Sequence, residues 1–409
     1  MSAPIHHTFG PLATSKQFWQ AFFLQFQPWK WKNGPESDEL KEKLSQMFNR
    51  SAHLFDTGRG ALLALLRSME LQPGEEVILQ GYTCTVVPNA IVAAGGKPIY
   101  VDINPNNLNM DPSLVRKAIS PRTRAIICQH TFGIPADTSA LRLICEERDI
   151  ALIEDCAHII PSKKDKNIGN YGDALIFSFG RDKAISGVTG GAVLTKHEFI
   201  SSRLNEMEKN AVNHSLWHIL NLIDYPLRYT FAKMIWPLKV AKVYLKWIRW
   251  IHLLPPVLKK EEKEGMASVS LHRMPNACAA LALRQLNRLD VINMRRSQLS
   301  NFYLKMAKQY HWEVPLKAES TDSLQKFPLL HKNAEDIRAS LKKHEIYLDD
   351  GWCGAVVNPR SVNQKALWYS PGQCPQAEKI SHEILTLPTH PTMTMMQARR
   401  LVELLKDIY

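Results

Sequence analysis

Short apolar runs alternate with segments of helical periodicity between about residues 51 and 196. Segments such as 61–69 and 139–148 have the spacing of helices, and the predicted strands fall at 76–79, 98–101, 125–128, 151–153, 174–177 and 191–194. Because strands that alternate with helices form parallel sheets covered on both faces, the pattern predicts an α/β fold with a mostly parallel central sheet. Ligands of such folds bind at the carboxyl ends of the strands.

A different pattern follows the predicted sheet. Small and apolar residues from Asn276 open a long helix, which the periodicity continues through Leu286 and Leu289. We expect this helix to lead into a smaller C-terminal α/β domain. The predicted organisation is a large domain at 1–265, with a basic aromatic helical insertion at about 205–265, and a smaller domain at 266–409.

The composition indicates a globular protein of two domains, with 409 residues, 45% of them hydrophobic and 22% charged. The seven cysteines include no C-x-x-C pair and no Cys/His spacing typical of zinc, and the N-terminus has no secretory pattern. These features predict a cytoplasmic protein without a metal site.

Two residues suggest a specific chemistry. Asp155 ends the apolar run 150–155, and Lys183 follows it by 28 residues, just after the predicted strand 174–177. A lysine amine that forms an imine, and a buried carboxylate that keeps a ring nitrogen protonated, are what pyridoxal phosphate requires. A lone lysine after a strand is usually a solvated loop charge, so a catalytic role for Lys183 depends on the motifs that surround it.

Residues 56–62 form a candidate phosphate site. Gly58 and Gly60 open a predicted helix, where small residues allow backbone N–H groups and the helix dipole to meet an anion. A simple N-cap turn is the alternative explanation of the same residues.

An ordered set of motifs resembles the DegT/StrS family of nucleotide-sugar aminotransferases. The resemblance covers roughly residues 50–200 and resumes at 273–286, 374–378 and 387–391. Its main segments are 57–62, 73–78, 95–102, 130–137, 154–158 and 177–183, followed by Gly190 and Gly191.

The resemblance implies a fold-type I transferase that depends on pyridoxal 5′-phosphate and passes through the pyridoxamine 5′-phosphate form. Members of the family are usually homodimers with sites at the subunit interface. The implied reaction transfers an amino group, with glutamate as the expected donor, to a keto-sugar nucleotide used for polysaccharide or glycan precursors. An acceptor such as a keto-cyclitol is an alternative.

Residue roles follow from the same resemblance. Lys183 matches the family's Schiff-base lysine, and Asp155 matches the carboxylate that pairs with the pyridine nitrogen. His158 takes the position near the cofactor ring and its 3-hydroxyl. The positions that match phosphate-binding residues are Ser178, Gly58, Arg59 and Gly60.

The sequence departs from the family pattern at two places. Cys84 stands where an aromatic residue usually stacks on the cofactor ring, so stacking is assigned to Tyr82 or His130, or is absent. Leu271 replaces an Asn that often reaches the phosphate of the partner subunit. Arg273 still matches the family and predicts either a cross-subunit contact or a structural salt bridge.

The insertion is basic and aromatic. Residues 216–260 contain eight Lys or Arg and one Asp, a surplus of +7 out of the net +12, and no nucleic-acid-binding motif accompanies it, so nucleic acid is not an expected partner. On a helix, the basic side chains form a stripe beside a broad apolar arc, a pattern typical of peripheral membrane helices. The stripe comprises Lys239, Lys242, Lys246 and Arg249, and the arc comprises Val240, Val243, Tyr244, Trp247, Trp250 and Ile251.

Packing of the insertion on its own subunit or on a dimer partner explains the pattern equally well. The aromatic N-terminal stretch 18–23 either extends the apolar patch or covers the core. These features leave a second class of function open, namely a non-catalytic, membrane-associated scaffold or regulator that retains the fold.

Overall fold

A seven-stranded sheet organises the larger part of the chain. The computed structural model describes residues 4–7, 14–162, 168–254, 256–266, 270–316 and 323–409. Within these residues the strands are β1 Ile5–His6, β2 Ser51–Phe55, β3 Glu76–Gln80, β4 Thr83–Cys84, β5 Lys97–Val101, β6 Thr123–Gln129, β7 Ala151–Asp155, β8 Ala174–Ser178, β9 Gly191–Thr195, β10 Lys326–Leu330, β11 Ile346–Tyr347, β12 Val357–Asn358 and β13 Ile384–Pro388.

Helices connect and cover these strands. In the described part of the chain they are α1 Ser15–Gln25, α2 Pro35–Phe48, α3 Gly58–Ser68, α4 Val86–Ala93, α5 Pro112–Ala118, α6 Thr138–Glu146, α7 Glu198–Asn210, α8 Leu216–Met234, α9 Ala241–Trp250, α10 Lys260–Lys263, α11 Asn276–Leu286, α12 Leu289–Tyr310, α13 Ala334–Lys343, α14 Pro375–Glu383 and α15 Met395–Lys406.

The large sheet has the strand order β2-β9-β8-β7-β6-β3-β5. Strands β3, β5, β6, β7 and β8 run parallel, and β9 is antiparallel to both of its neighbours. The predicted mostly parallel sheet is therefore confirmed, and each of the six predicted runs forms a strand of it. Strand β2 is an addition, because its short segment, interrupted by His53, does not stand out as an apolar run.

Each face of the sheet carries its own layer of helices. Helices α3, α4 and α7 cover the face to which Ile153 and Ile176 point, and α2, α5, α6 and α11 cover the face of Leu152 and Leu175. Successive side chains of a strand point to opposite faces. Neighbouring residues at the end of one strand therefore enter different environments.

The C-terminal residues build a second core. Strands β10 and β13 pair antiparallel, α12 to α15 pack around them, and the N-terminal β1 joins this core by pairing with β11. The predicted single helix from Asn276 is wrong, since α11 ends at Leu286 and α12 starts at Leu289. The interruption lets α11 stay in the core of the large sheet while α12 extends into the C-terminal core.

The domain boundary near Met266 stays a prediction, and residues 267–269 beside it lie outside the described part. The insertion contains α8 and α9. The predicted helix around 239–251 begins only at Ala241, because Lys239 lies in a left-handed turn with φ of 62°. Every helix in the described residues is too short or too polar to cross a membrane.

Candidate active site

Asp155 and Lys183 meet at one edge of the large sheet. Strands β7 and β8 are parallel neighbours, so the end of β7 at Asp155 and the loop after β8, which carries Lys183, lie side by side. Burial raises the pKa of the Asp155 carboxyl above its ordinary value, and the Ala157 amide at 2.9 Å and the positive charge of Lys183 partly oppose this. The two predicted catalytic residues thus share one buried electrostatic environment.

A glycine turn faces the end of β8. A Cβ atom on Gly58 would lie 2.8 Å from Cβ and 3.0 Å from Oγ of Ser178, so only glycine allows this approach. The Thr57 hydroxyl caps α3 by accepting the Gly60 amide at 3.0 Å. The amides of Gly58 and Arg59 belong to the first turn of α3, where N–H groups have no partner within the helix, and Ser178 lies beside this turn. This is the arrangement of an anion cradle.

The two glycines after the lysine loop have a related role. Gly190 forms an isolated bridge with Thr57, and Gly191 lies so close to the Thr57 carbonyl that a Cβ would not fit. Strand β9 thereby holds the start of α3 against the sheet edge. The glycine pair after Lys183 therefore supports the turn rather than contacting a ligand.

His158 is a buried neutral imidazole. Burial, with the positive charges of Lys183 and Lys326 in addition, holds its pKa well below the ordinary value. Its Nδ1 atom lies 3.1 Å from the Phe132 amide, which can only donate. Nδ1 is therefore the acceptor, and the proton resides on Nε2, which makes Nε2–H a donor.

Cys84 places a small neutral group at the same site. Its thiol is within the electrostatic influence of Lys183, Arg59 and Asp155, and burial raises its pKa. The pairing of β4 with β12 brings the C-terminal segment around Asn358 alongside it. The position at which the family resemblance implies an aromatic ring thus lies within the electrostatic influence of Lys183 and holds a thiol.

The Arg59 guanidinium does not extend along its own turn. It forms an ion pair with Glu262 and donates to the Val257 carbonyl. The Arg59 side chain therefore connects α3 to the segment 257–262, and only the backbone amide of Arg59 remains available to bind a phosphate.

Tyr82 and His130, the two predicted stacking residues, have other partners. The ring of Tyr82 is fully buried against Phe132 and Trp352, and its hydroxyl donates to the Trp352 carbonyl. His130 Nε2 lies 3.1 Å from Glu154, and its Nδ1 accepts the Ala136 amide at 3.1 Å. Glu154 points to the sheet face opposite Asp155, so the structure does not bring His130 to the Lys183 side.

His130, Glu154 and Cys156 have ligand atoms within 4.8 Å of one another. The Glu154 carboxylate already accepts the amides of Gly169, Tyr171 and Gly172. Burial also raises the pKa of Cys156 well above its ordinary value, so the thiol keeps its proton. This cluster is a saturated hydrogen-bond network of the sheet.

Arg273 lies at the end of α7. Its guanidinium donates to the carbonyls of Glu208, at 3.1 Å, and Lys209. These are carbonyls of the last turn, which a basic side chain stabilises. Within the single chain, Arg273 therefore caps a helix, and the predicted cross-subunit contact stays a prediction.

Two charged residues next to this site were not predicted. Lys326 and Asp350 form a buried ion pair at 3.0 Å in the C-terminal core. Burial alone would raise the pKa of Asp350, but the charges of Lys326 and His7 lower it to about 2. The charge of Lys326 contributes to the lowered pKa of His158. The ring centroid of Trp352 lies 4.8 Å from that of the His158 imidazole. No local motif marks these residues, because they come from separate C-terminal segments.

These groups fit one cofactor. Pyridoxal phosphate needs an amine for covalent attachment, a carboxylate for its ring nitrogen and a cradle for its phosphate. Lys183, Asp155 and the Gly58–Ser178 approach supply these three requirements at one sheet edge. The fold and the site together define the class of pyridoxal-phosphate enzymes.

Comparison with known proteins identifies the family. The model of the DegT/DnrJ/EryC1/StrS aminotransferase family matches residues 17–228 and 257–406, and the chain belongs to this family. The prediction from the sequence motifs is thereby confirmed. Residues 229–256, with the end of α8 and the whole of α9, fall outside the match.

Solved structures share the fold. NtdA from Bacillus subtilis with bound cofactor PMP has a TM-score of 0.75 at 20% identity, covering 100% of this chain and 86% of that chain. DesV from S. venezuelae in complex with a ketimine intermediate has a TM-score of 0.73 at 23% identity, with 96% and 94% covered. DesI in the presence of its TDP-sugar product has a TM-score of 0.73 at 18% identity, with 100% and 93% covered. The predicted fold-type I architecture is confirmed.

Proposed function

We propose that this chain is a pyridoxal-phosphate-dependent aminotransferase that transfers an amino group from glutamate to a keto-sugar nucleotide. The observation that carries the proposal is the meeting of Lys183, Asp155 and the Gly58–Ser178 cradle at one edge of the sheet. When bound, pyridoxal phosphate supplies an aldehyde for covalent attachment and a ring that accepts electrons from the substrate.

Each residue of the site has a separate proposed role toward the cofactor or the substrate. The amides of Gly58 and Arg59 and the Ser178 hydroxyl bind the phosphate. Asp155, which has a single hydrogen bond to its carboxylate among the described residues, holds the proton on the ring nitrogen. The neutral His158, whose Nε2–H is a donor, would bind the 3-hydroxyl oxygen of the cofactor. The Lys183 amine moves the proton at the substrate Cα.

The substrate class rests on the family and on one neighbour. DesI was solved with a TDP-sugar product, and its fold covers the whole of this chain. The acceptor proposed here is accordingly a nucleotide-linked keto-sugar. The enzyme is proposed to act as a homodimer, as the family resemblance implies. The cytoplasm is the proposed compartment, which agrees with the finding that all seven cysteines are free thiols.

The covalent linkage is tested without measuring turnover. Purified protein is loaded with pyridoxal phosphate, reduced with borohydride, digested and analysed by mass spectrometry. The expected result is one modified lysine, Lys183, and a visible absorbance band that glutamate bleaches. Lys183→Ala should lose both, whereas Lys196→Ala, at an exposed lysine that also follows a strand, should keep both. A colourless protein, or modification at another lysine, would contradict the proposal.

The acceptor is tested separately. The pyridoxamine phosphate form is incubated with a panel of keto-sugar nucleotides and with a keto-cyclitol, and the products are followed by mass spectrometry. A gain of an amino group on a sugar nucleotide supports the proposed substrate class. Amination of the cyclitol alone would contradict that class while leaving the aminotransferase chemistry intact.

A further inference from the structure

The insertion exposes a set of large apolar side chains that nothing in the described chain covers. We call this set the insertion face. Val243 and Trp250 are 70% and 75% exposed. They lie on the same face of α9, two turns apart at i and i+7, with Trp247 between them. The insertion face consists of Phe231, Met234, Leu238, Val243, Trp247 and Trp250.

The opposite side of the same helices is firmly anchored. Ile223 of α8 and Ile248 of α9 are buried in the core of the large sheet. Trp236 donates its indole N–H to Glu345 at 3.2 Å, and Lys242 forms an ion pair with the same carboxylate at 3.2 Å. The insertion is therefore held by both cores, and the exposure of its outer face is a property of the folded chain.

The insertion face lies outside the residues that the family model matches. All six of its residues lie in 229–256, the segment that the family model does not match. Large exposed apolar side chains grouped on one surface of a folded protein indicate a binding site.

The positive charge around the insertion face favours an anionic partner. Residues 229–256 contain five Lys or Arg and no Asp or Glu. Lys242 is paired with Glu345, whereas Lys239, Lys246 and Arg249 are exposed and have no acidic partner among the described residues. Two copies of this face would bring like charges together, which disfavours self-association. An anionic surface is the complementary partner.

We propose that the insertion face binds the surface of an anionic lipid bilayer. Tryptophan and aliphatic side chains enter the region between headgroups and acyl chains, while the surrounding lysines and arginine contact the anionic headgroups. Since α8 and α9 are too short or too polar to span, the contact is peripheral. Helix α1 packs beside α8 and adds the exposed Trp19, Phe23 and Phe26.

Vesicle co-sedimentation of the full-length holoprotein tests the apolar part. Wild type should sediment with vesicles of phosphatidylcholine and phosphatidylglycerol. Trp247→Glu with Trp250→Glu should weaken binding by more than about tenfold. The matched control, Phe199→Glu with Trp368→Glu, changes two exposed aromatic residues outside the insertion and should bind like wild type. Cofactor absorbance confirms that each variant is folded.

A second set of variants tests the charge. Replacing Lys239, Lys246 and Arg249 by Gln should weaken binding about a hundredfold, because each basic residue near an anionic surface contributes about fivefold. Replacing the exposed Lys305, Lys308 and Lys332 by Gln makes the same change in net charge and should have little effect. Wild type should also lose binding on vesicles of phosphatidylcholine alone.

Three results would overturn the proposal. One is the absence of wild-type binding to anionic vesicles, and another is equal binding by the double tryptophan variant. The third is a combined result: wild type does not bind lipid, and the double tryptophan variant differs from it in oligomeric state by analytical ultracentrifugation. This last result would assign the face to a second copy of the chain.

Discussion

Glu154 and Asp155 are adjacent buried acids with opposite environments. Glu154 accepts three backbone amides and one imidazole, and although burial acts to raise its pKa, the bonds from His130 and the glycine amides lower it. Asp155 accepts one amide, and burial raises its pKa. One strand thus carries a saturated structural carboxylate on one face and an unsaturated one, available to a ligand, on the other.

The comparison teaches how to separate structural from functional acids. Burial alone does not distinguish the two residues, because both are nearly inaccessible to solvent. The number of hydrogen bonds does distinguish them, since a buried charge that lacks partners is costly unless a ligand supplies them. The following predictions test this distinction.

The largest expected effect is on catalysis at Asp155. Asp155→Asn should lower kcat/KM by about a thousandfold, because the neutral amide no longer holds a proton on the cofactor nitrogen. The free energy of unfolding of the apoprotein should stay the same or rise, since a poorly paired buried carboxyl is removed. Steady-state kinetics and urea unfolding measure the two quantities. Near-normal turnover in this variant would remove Asp155 from the proposed site.

The opposite result is expected at Glu154. Glu154→Gln should cost about 3 kcal/mol of unfolding free energy, because an amide NH₂ would face backbone N–H groups that now donate to a carboxylate. Turnover of the protein that remains folded should change little. Urea unfolding with kinetics at low temperature checks this. A stable variant with greatly reduced kcat would show that the Glu154 face serves catalysis.

A smaller effect is expected at the anion cradle. Gly58→Ala should weaken cofactor binding about tenfold, because the new methyl group would collide with Ser178. Adding Ser178→Gly removes the collision, so the double variant should bind the cofactor as well as Ser178→Gly alone. Fluorescence titration with pyridoxal phosphate measures these affinities. Failure of this rescue would mean that Gly58 acts through something other than the close approach.

The smallest effect is on the pH dependence of stability. Because the pKa of Glu154 is lowered in the folded protein, this carboxylate stabilises the fold at pH values above its unfolded pKa of about 4.3. That stabilisation is lost as the pH falls through the folded pKa. A raised pKa at Asp155 acts the other way, so its cost grows as the pH rises from about 4 through the folded pKa.

The apoprotein of Asp155→Asn should therefore gain stability relative to wild type over that rise in pH. The disadvantage of Glu154→Gln should shrink as the pH falls below about 4. Urea unfolding at a series of pH values measures both differences. Parallel curves for the two variants would contradict the assigned directions.

The alternation of apolar runs and helices was enough to predict the parallel sheet, because strands buried on both faces need continuous apolar sequence. Lys183 and Asp155 were also predicted from sequence to lie together, since Asp155 ends one strand and Lys183 follows the next parallel strand of the sheet. The antiparallel direction of β9 was not predicted, because strand direction depends on the path of the chain between strands. Strand β2 was not predicted, because its short segment is not a clear apolar run.

Other residues show where local sequence was insufficient. Tyr82 and His130 stand next to the site in sequence, yet their rings contact Trp352 and Glu154. The partners of Arg59 and of Lys326 are Glu262 and Asp350, from segments far along the chain or from another loop. No periodicity within one segment contains information about such pairs.

The sequence by itself determined the type of fold and the family, and it was enough to propose Lys183 and Asp155 as the catalytic pair, because these depend on local patterns and on residue chemistry. Only the tertiary structure decided which face each neighbouring side chain occupies, and which side of the insertion is covered. The physical reason is that strand alternation assigns adjacent residues to opposite faces, and that burial depends on contacts between residues distant in sequence.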